Sequence, residues 1–191
     1  MSESRLKQSS EAQLKRALES SALKRPRFFS GKLITPEDLE LEQQYLREKL
    51  KRHNRSLHGF GIVSGLKVTV RSGQIVVESG IALDCEGNEL VVDAVQSIAA
   101  PLITDNYHTA FVNVRFVENG ADPTPGGLEE LSTIIESFEL TFALDNFNRG
   151  HRHLRARWLA CGKPHALTIA KLKRSAHGWR VERGYRVPSI K

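Results

Sequence analysis

Four side chains in the last quarter of the chain have the atom types of a metal site: His151, His153, Cys161 and His165 could offer imidazole nitrogens and a thiolate. Their spacing fits no zinc signature, and three of the four lie among arginines, which oppose a cation. Solvated loop histidines and a buried thiol are the expected state. His53 and His58 flank Asn54 and Arg55 and have the chemistry for acid–base work. Five residues apart on an α-helix, however, they stand about 140° apart, so only one can face a given pocket. Rings that hydrogen-bond the helix-end carbonyls are expected instead. The run Asp84-Cys85-Glu86 suggests an activated thiol, but adjacent carboxylates raise a thiol's pKa and blunt it, which leaves Asp84 as a turn residue. No P-loop, dinucleotide glycine pattern, GxSxG, HExxH or paired CxxC occurs. The expectation is a protein that is not an enzyme, with no catalytic residue, cofactor or metal.

The element that would position most of these groups is the longest helical pattern, within RPRFFSGKLITPEDLELEQQYLREKLKRHNRSLHGFGIVSG, residues 25–65. Thr35 can cap, Pro36 suits the first helical position, and Glu37 and Asp38 set negative charge on the amino-terminal dipole. The pattern predicts a helix from Pro36 to Leu57, stopped by His58-Gly59 and Phe60-Gly61. Leu39, Gln43, Leu46, Leu50, His53 and Leu57 recur at steps of four and three, so one narrow stripe runs its length. Such a stripe requires a partner: the rest of the chain's own β domain, the amino-terminal arm, or the same helix in another subunit. Phe28 and Phe29 are adjacent aromatics in a connector, placed to plug a core or an interface on opposite sides. Their expected role is a hydrophobic staple at the start of the helix. Phe28 and Phe29 with the six stripe residues form the candidate interface.

Residues 2–24 carry Leu6, Leu14, Ala17, Leu18, Ala22 and Leu23 among Ser, Lys, Arg and Glu, a thin helical face that is marginal alone and orders on a partner. Arg25-Pro26-Arg27 breaks it. After the helix, Gly61–Gly65 reads as a tight lead into the strand Leu66–Val70, followed by strands at Gln74–Glu78, Gly80–Leu83 and Leu90–Val92. Ala99–Leu102 begins a connector. Ala110–Val117 is the clearest strand, with Val112, Val114 and Phe116 forming the apolar face and Phe111, Asn113, Arg115 and Val117 pointing the other way. Asn119–Gly127 is a loop by composition, and Ile134–Leu144 alternates strongly again. Arg157–Cys161 and Ala166–Leu172 are further strand candidates, the latter also readable as a short helix, and Trp179–Val181 closes a hairpin through Ala176-His177-Gly178. The expected fold is α+β: an amino-terminal helical arm and a long helix, then a mainly antiparallel β sandwich or barrel-like domain. The expected divisions are a basic, helical or partly disordered arm at 1–24, the connector and helix at 25–59, and a β-rich domain at 60–191.

At 191 residues there is room for one domain and an appendage. No apolar stretch is long enough to span a bilayer and the start has no hydrophobic signal region, so a cytoplasmic location without membrane insertion is expected. Cys85 and Cys161 are too few and too far apart for a disulfide framework. The net charge of +6 conceals three blocks. Lys and Arg number 13 against 8 Asp and Glu in residues 1–57, 3 against 13 in 58–148, and 12 against 1 in 149–191. A basic end invites nucleic acid, but the acidic block repels phosphate and can pair with the basic one. Complementary faces between subunits, with no nucleic acid, are the expectation.

The string from Arg25 to Leu66, followed by SGIALDCEGNELVV at 79–92, resembles a segment of largely uncharacterised bacterial proteins encoded among phage-tail-like contractile injection genes. Arg27, Phe29, Thr35, Asp38, His53, Asn54, Arg55, Gly59, Gly61, Gly65, Gly80, Asp84 and Gly87 are among the residues that carry it. Trp179-Arg180-Val181 before an aromatic and Pro188 is similar to the closing strand of β domains in phage and type VI secretion baseplate proteins, though with one proline where that pattern has two. The resemblance implies a non-enzymatic structural subunit of a contractile particle, at the baseplate, collar or fibre attachment. Its implied partners are other tail, baseplate or fibre subunits and further copies of itself, a trimer included. The alternative is a small metal- or carbohydrate-binding β protein with its site near residues 146–165.

Overall fold

The structure is a computed structural model and describes residues 22–101, 108–123, 131–144, 146–147 and 166–190. The chain divides into two units, Met1–Leu50 and Lys51–Lys191, with the boundary inside the helix α1 (Pro36–His53). The start of α1 is as its sequence prescribes. The Asp38 N–H donates to Thr35 Oγ1 at 3.4 Å while Asp38 Oδ2 accepts the Thr35 N–H at 3.5 Å, a reciprocal cap. Lys32 Nζ reaches Asp38 Oδ1 at 2.7 Å, and that hydrogen bond holds the Asp38 carboxyl below the usual range. This polar arrangement sets the helix start without a staple: Phe28 and Phe29 are both exposed, and Phe28 instead lies under Lys32, whose Nζ is 5.3 Å from the ring centroid.

The end of α1 differs from expectation. Regular α-helix stops at His53, and Asn54–His58 form a π-helical turn closed by the Gly59 N–H on the Asn54 carbonyl at 3.0 Å. Leu57 therefore falls on the π turn, outside the α spacing of the stripe. The rest of the described chain is β1 (Gly61–Gly65), β2 (Val68–Arg71), β3 (Gln74–Val77), β4 (Gly80–Leu83), β5 (Glu89–Val92), β6 (Gln96–Ala99), β7 (Thr109–Pro123), β8 (Leu131–Ala143), β9 (Leu167–Ser175) and β10 (Gly178–Val181). They pair antiparallel in three sheets, ordered β1-β4-β5, β2-β3-β6 and β10-β9-β7-β8. The fold is thus β-rich with one eighteen-residue helix among the described residues, rather than an α+β fold built round a long helix. The expected strand at Arg157–Cys161, and most of the expected amino-terminal arm, lie outside the described residues.

Several boundaries shift for identifiable reasons. Gly61–Gly65 is itself a strand because it pairs with β4, and residues 96–99, for which no element was expected before the connector at Ala99, form β6. Residues 119–123 continue β7, because β8 runs opposite them as far as the Pro123–Leu131 pair. The segment 167–175 is a strand, seated between β7 and β10, and not a short helix. Both faces of β7 are covered at its start, with Phe111 and Asn113 buried alongside Val112 and Val114. The face opposite Val112 and Val114 carries Asn113 Oδ1 accepting the Thr168 hydroxyl at 2.7 Å, while Thr168 Oγ1 accepts the Phe147 N–H at 3.1 Å. Tyr185 closes over Phe111, with ring centroids 6.0 Å apart. One core joins the three sheets, through Leu66, Ile75, Leu90, Val112, Leu172 and Trp179 among others.

Candidate functional site

The junction from helix to sheets is built from residues far apart in sequence. The Asp84 carboxylate accepts the N–H groups of Glu86 (2.9 Å) and Asn88 (2.8 Å) and the Asn88 side-chain amide (2.7 Å), which winds residues 84–88 into a closed turn. Asn54 Nδ2 then donates to the Gly87 carbonyl at 3.0 Å, and Arg55 donates to the Glu86 carbonyl. Asn54 and Arg55 are the first residues of the π turn, so the wider turn is what aims both at the loop. Gly87 makes this approach feasible. Its φ is +90°, and a Cβ there would lie 2.2 Å from the Lys51 carbonyl oxygen. Four residues that carry the sequence resemblance, Asn54, Arg55, Asp84 and Gly87, thus form one structural joint. Asp84 is the turn residue its sequence suggested.

The histidine pair also departs from expectation. His53 and His58 meet edge to face with ring centroids 5.6 Å apart, and among the described residues their rings make no hydrogen bond to helix-end carbonyls. The cause is again the π turn, in which residues five apart fall on one side. Both rings are exposed.

The helix presents a sided surface. At 100° per residue, Leu41 and Glu48 lie about 180° from Leu39, Leu46 and Leu50. The first face, with Gln44 and Tyr45, borders a shallow cleft of about 350 Å³ shared with residues 22–24. The second is open: Leu39, Leu46 and Leu50 are 54%, 56% and 55% exposed, and Gln43 between them is exposed too. Of the candidate interface residues, then, Phe28, Phe29, Leu39, Gln43, Leu46, Leu50, His53 and Leu57 are all exposed.

A second surface escaped the sequence reading. β2 and β10 are edge strands of different sheets, and between them is a cleft of about 910 Å³. It is lined by Val68, Val70, Trp179 and Val181 together with charged residues of both signs, Lys67, Lys173, Arg180 and Arg183 against Glu182. The Trp179 indole N–H is committed to the Pro101 carbonyl at 2.7 Å. The signal was present: a hairpin turning through His177-Gly178 sets Arg180 directly opposite Lys173. The Glu182 carboxyl, hydrogen-bonded by Lys171 and facing Lys173 and Arg180, is held below the usual carboxylate range.

His151, His153, Cys161 and His165 lie outside the described residues. Among the described residues no three His, Cys, Asp or Glu side chains are grouped to hold a metal ion, and no helix is long and apolar enough to cross a membrane.

No family model matches this chain, and no curated protein matches it in sequence. Solved structures do match it in fold. A chain of the type VI secretion system TssK-TssF-TssG baseplate subcomplex aligns with 88% of this chain at 12% identity and a TM-score of 0.50. A chain of the baseplate complex from the type VI secretion system aligns with 87% of it, at 12% identity and a TM-score of 0.50. This chain spans 62% and 60% of the length of those two chains. The likeness is one of fold: a β-rich architecture also found in chains of type VI secretion baseplate complexes.

Proposed function

We propose that this chain is a non-enzymatic structural subunit of a contractile phage-tail-like particle, a baseplate, collar or fibre-attachment component that acts by protein–protein assembly. The observation that carries the reading is the fold likeness to chains of two baseplate complexes over nearly nine tenths of this chain. In this reading α1 is a docking seam for a helix of another subunit, either a neighbouring baseplate protein or a further copy of this chain, with a trimer among the assemblies it allows. The exposed row Leu39, Gln43, Leu46 and Leu50 supports that role. Each of the three leucines still has about half its surface in water, and covering it contributes about 1 kcal/mol per residue. Gln43 within the row can set register.

The test is a mild-lysis pull-down of the tagged chain from its host, read by mass spectrometry and negative-stain electron microscopy. Recovery with sheath, tube or baseplate proteins on needle-like particles is the expected result. Recovery as a lone protein or with metabolic enzymes would sink the reading. Within the same experiment, Leu46→Asp with Leu50→Asp should weaken association roughly thirtyfold or more while leaving the β circular dichroism unchanged. Normal assembly of that double variant would remove α1 from the interface.

A further inference from the structure

Past the Phe116–Phe138 pair, the last hydrophobic pair of β7 and β8 to pack on the core, the two strands run on as a ribbon. Pairing continues from Val117–Ser137 to Ala121–Thr133, about 14 Å of strand. Residues 118–120 and 131–136 are exposed. Ile134 and Ile135, on opposite faces of the ribbon, keep 61% and 52% of their surfaces in water. A two-stranded ribbon is marginal by itself, and β-branched side chains suit a half-buried sheet. Such a ribbon gains from a third strand.

The outer edge of β8 is open there. The Arg174 N–H bonds the His108 carbonyl at 3.0 Å, so antiparallel alternation commits the even-numbered residues of β7 to β9 and the odd-numbered ones to β8. In the β7–β8 register Thr133, Ile135 and Ser137 therefore bond β7, and the N–H and C=O groups of Ile134 and Glu136 turn outward. Among the described residues no backbone hydrogen bond reaches those outward groups. β5 also approaches β8, but its Leu90 and Val92 lie in the core with Phe138 and Leu140, whereas residues 131–136 are outside the core and exposed. Such an edge is a template for another strand. The opposite edge of the ribbon, at Asn119, Gly120 and Ala121, offers little apolar surface.

Charge selects the occupant. Residues 117–137 hold five acidic residues, Glu118, Asp122, Glu129, Glu130 and Glu136, and no Lys or Arg. Glu118 and Glu136 sit directly opposite one another, an unfavourable like-charge pair, and among the described residues no cation lies within ion-pair distance of Glu136. They share a face with Ile134, while the other face, with Asn119, Thr133 and Ile135, is uncharged. We propose that the free edge of β8 at residues 133–137 receives an extended basic segment of a partner protein, added as a third strand. Alternation fixes its pattern: a Lys or Arg lies beside Glu136, and an apolar side chain lies beside Ile135 on the other face. A second copy pairing β8 on β8 would bring two acidic ribbons together, and nucleic acid is repelled by the same charge. The edge shares no residue with the α1 seam, so each proposal can fail without the other.

The probe is a fluorescein-labelled nonapeptide of alternating lysine and valine, titrated with the full chain and read by fluorescence anisotropy. Two comparators accompany it: the same peptide with glutamate for lysine, and the lysine peptide N-methylated at the amides that would face β8. Saturable binding is expected, at least tenfold weaker for either comparator. Ile134→Pro removes an outward N–H and none of the bonds to β7, and should also weaken binding at least tenfold. In Glu118→Lys with Glu136→Lys the preference should invert toward the glutamate peptide, whereas Glu40→Lys, a charge change of the same sign on the exposed side of α1, should change nothing. Amide exchange followed by NMR should slow at Ile134 and Glu136 on binding and change little at Ile135, which is already bonded to β7. N-methylation and exchange leave the protein unaltered, so the proposal remains testable if a variant does not fold. Absence of binding, indifference to N-methylation, or binding that leaves the Ile134 and Glu136 amides in fast exchange would each overturn the proposal. So would a homodimer that Ile134→Pro abolishes, since a second copy would then hold the edge.

Discussion

Replacing Gly87 by alanine tests the joint between helix and sheets most directly. Two costs are involved, and Gly73 separates them. Both glycines have left-handed backbone, with φ of +90° and +76°, so a side chain at either costs about 1–2 kcal/mol in backbone conformation. At Gly73 a Cβ would have nothing within 4 Å, whereas at Gly87 it would lie 2.2 Å from the Lys51 carbonyl oxygen and 2.8 Å from its carbon. Backbone cannot rotate aside as a long side chain can, so the 84–88 loop must move off the helix end. That movement breaks the Asn54–Gly87 and Arg55–Glu86 hydrogen bonds, worth about 1 kcal/mol for the neutral donor and about 1.5–3 kcal/mol for the charged one. Gly87→Ala should therefore destabilise the Lys51–Lys191 unit by about 3–6 kcal/mol and Gly73→Ala by about 1–2 kcal/mol. Urea unfolding followed by tryptophan fluorescence reads the difference, since Trp179 is buried in the core. With a slope of about 1–3 kcal/mol per molar urea, the two midpoints should separate by about 1 M or more at unchanged slope. Coincident midpoints would refute the close approach at Gly87.

Two further outcomes follow from side-chain geometry. Because Lys32 holds the Asp38 carboxyl below its unfolded value, the stability it contributes is present above the ordinary aspartate pKa of about 4 and is lost as the pH falls through the lowered folded value. An NMR titration of that carboxyl should give a depressed midpoint that moves upward in Lys32→Ala, and an unmoved midpoint would count against the Lys32 contact. Thr168→Val keeps the shape but leaves Asn113 Oδ1 and the Phe147 N–H without their bonds to the hydroxyl, a cost of about 1–3 kcal/mol. Thermal unfolding measures it, and a neutral result would mean that Asn113 is satisfied some other way.

The parts of this fold that were legible in the sequence are those decided locally. The cap at Thr35 and Asp38 depends on residues three apart, and β2, β7 and β8 declare themselves by alternation. The π turn was not legible, because Asn54–His58 spaces its residues as an α-helix would. What selects the wider turn is the pull of a loop some thirty residues later on Asn54 and Arg55. Similarly, alternation sets Asn113 on the face opposite Val112 and Val114, but that this face is covered follows only from Thr168 and Phe147 being brought over it. Of the candidate surfaces, the helix stripe is a periodicity within one element and was visible as such. Of the β2–β10 cleft, the hairpin that sets Arg180 opposite Lys173 was readable locally, but β2 on the other side comes only from the strand order.

The tail of the described chain also determines the order in which the β unit can be completed. Ser189 bridges Ile62 in parallel, with the Ile62 N–H on the Pro188 carbonyl and the Ile190 N–H on the Ile62 carbonyl, each at 2.9 Å. A Cβ on Gly61 would lie 2.5 Å from that Pro188 oxygen, so the two segments touch without an intervening side chain. β1 is an edge strand of its sheet, and residues 188–190 cover its outer side. During synthesis β1 emerges well before the residues that cover it. Through nearly all of that interval a bare strand edge faces a crowded cell, the condition under which nascent chains pair with the wrong neighbour. The time spent waiting for three late residues is thus a built-in hazard of this topology, one that the folded molecule no longer displays.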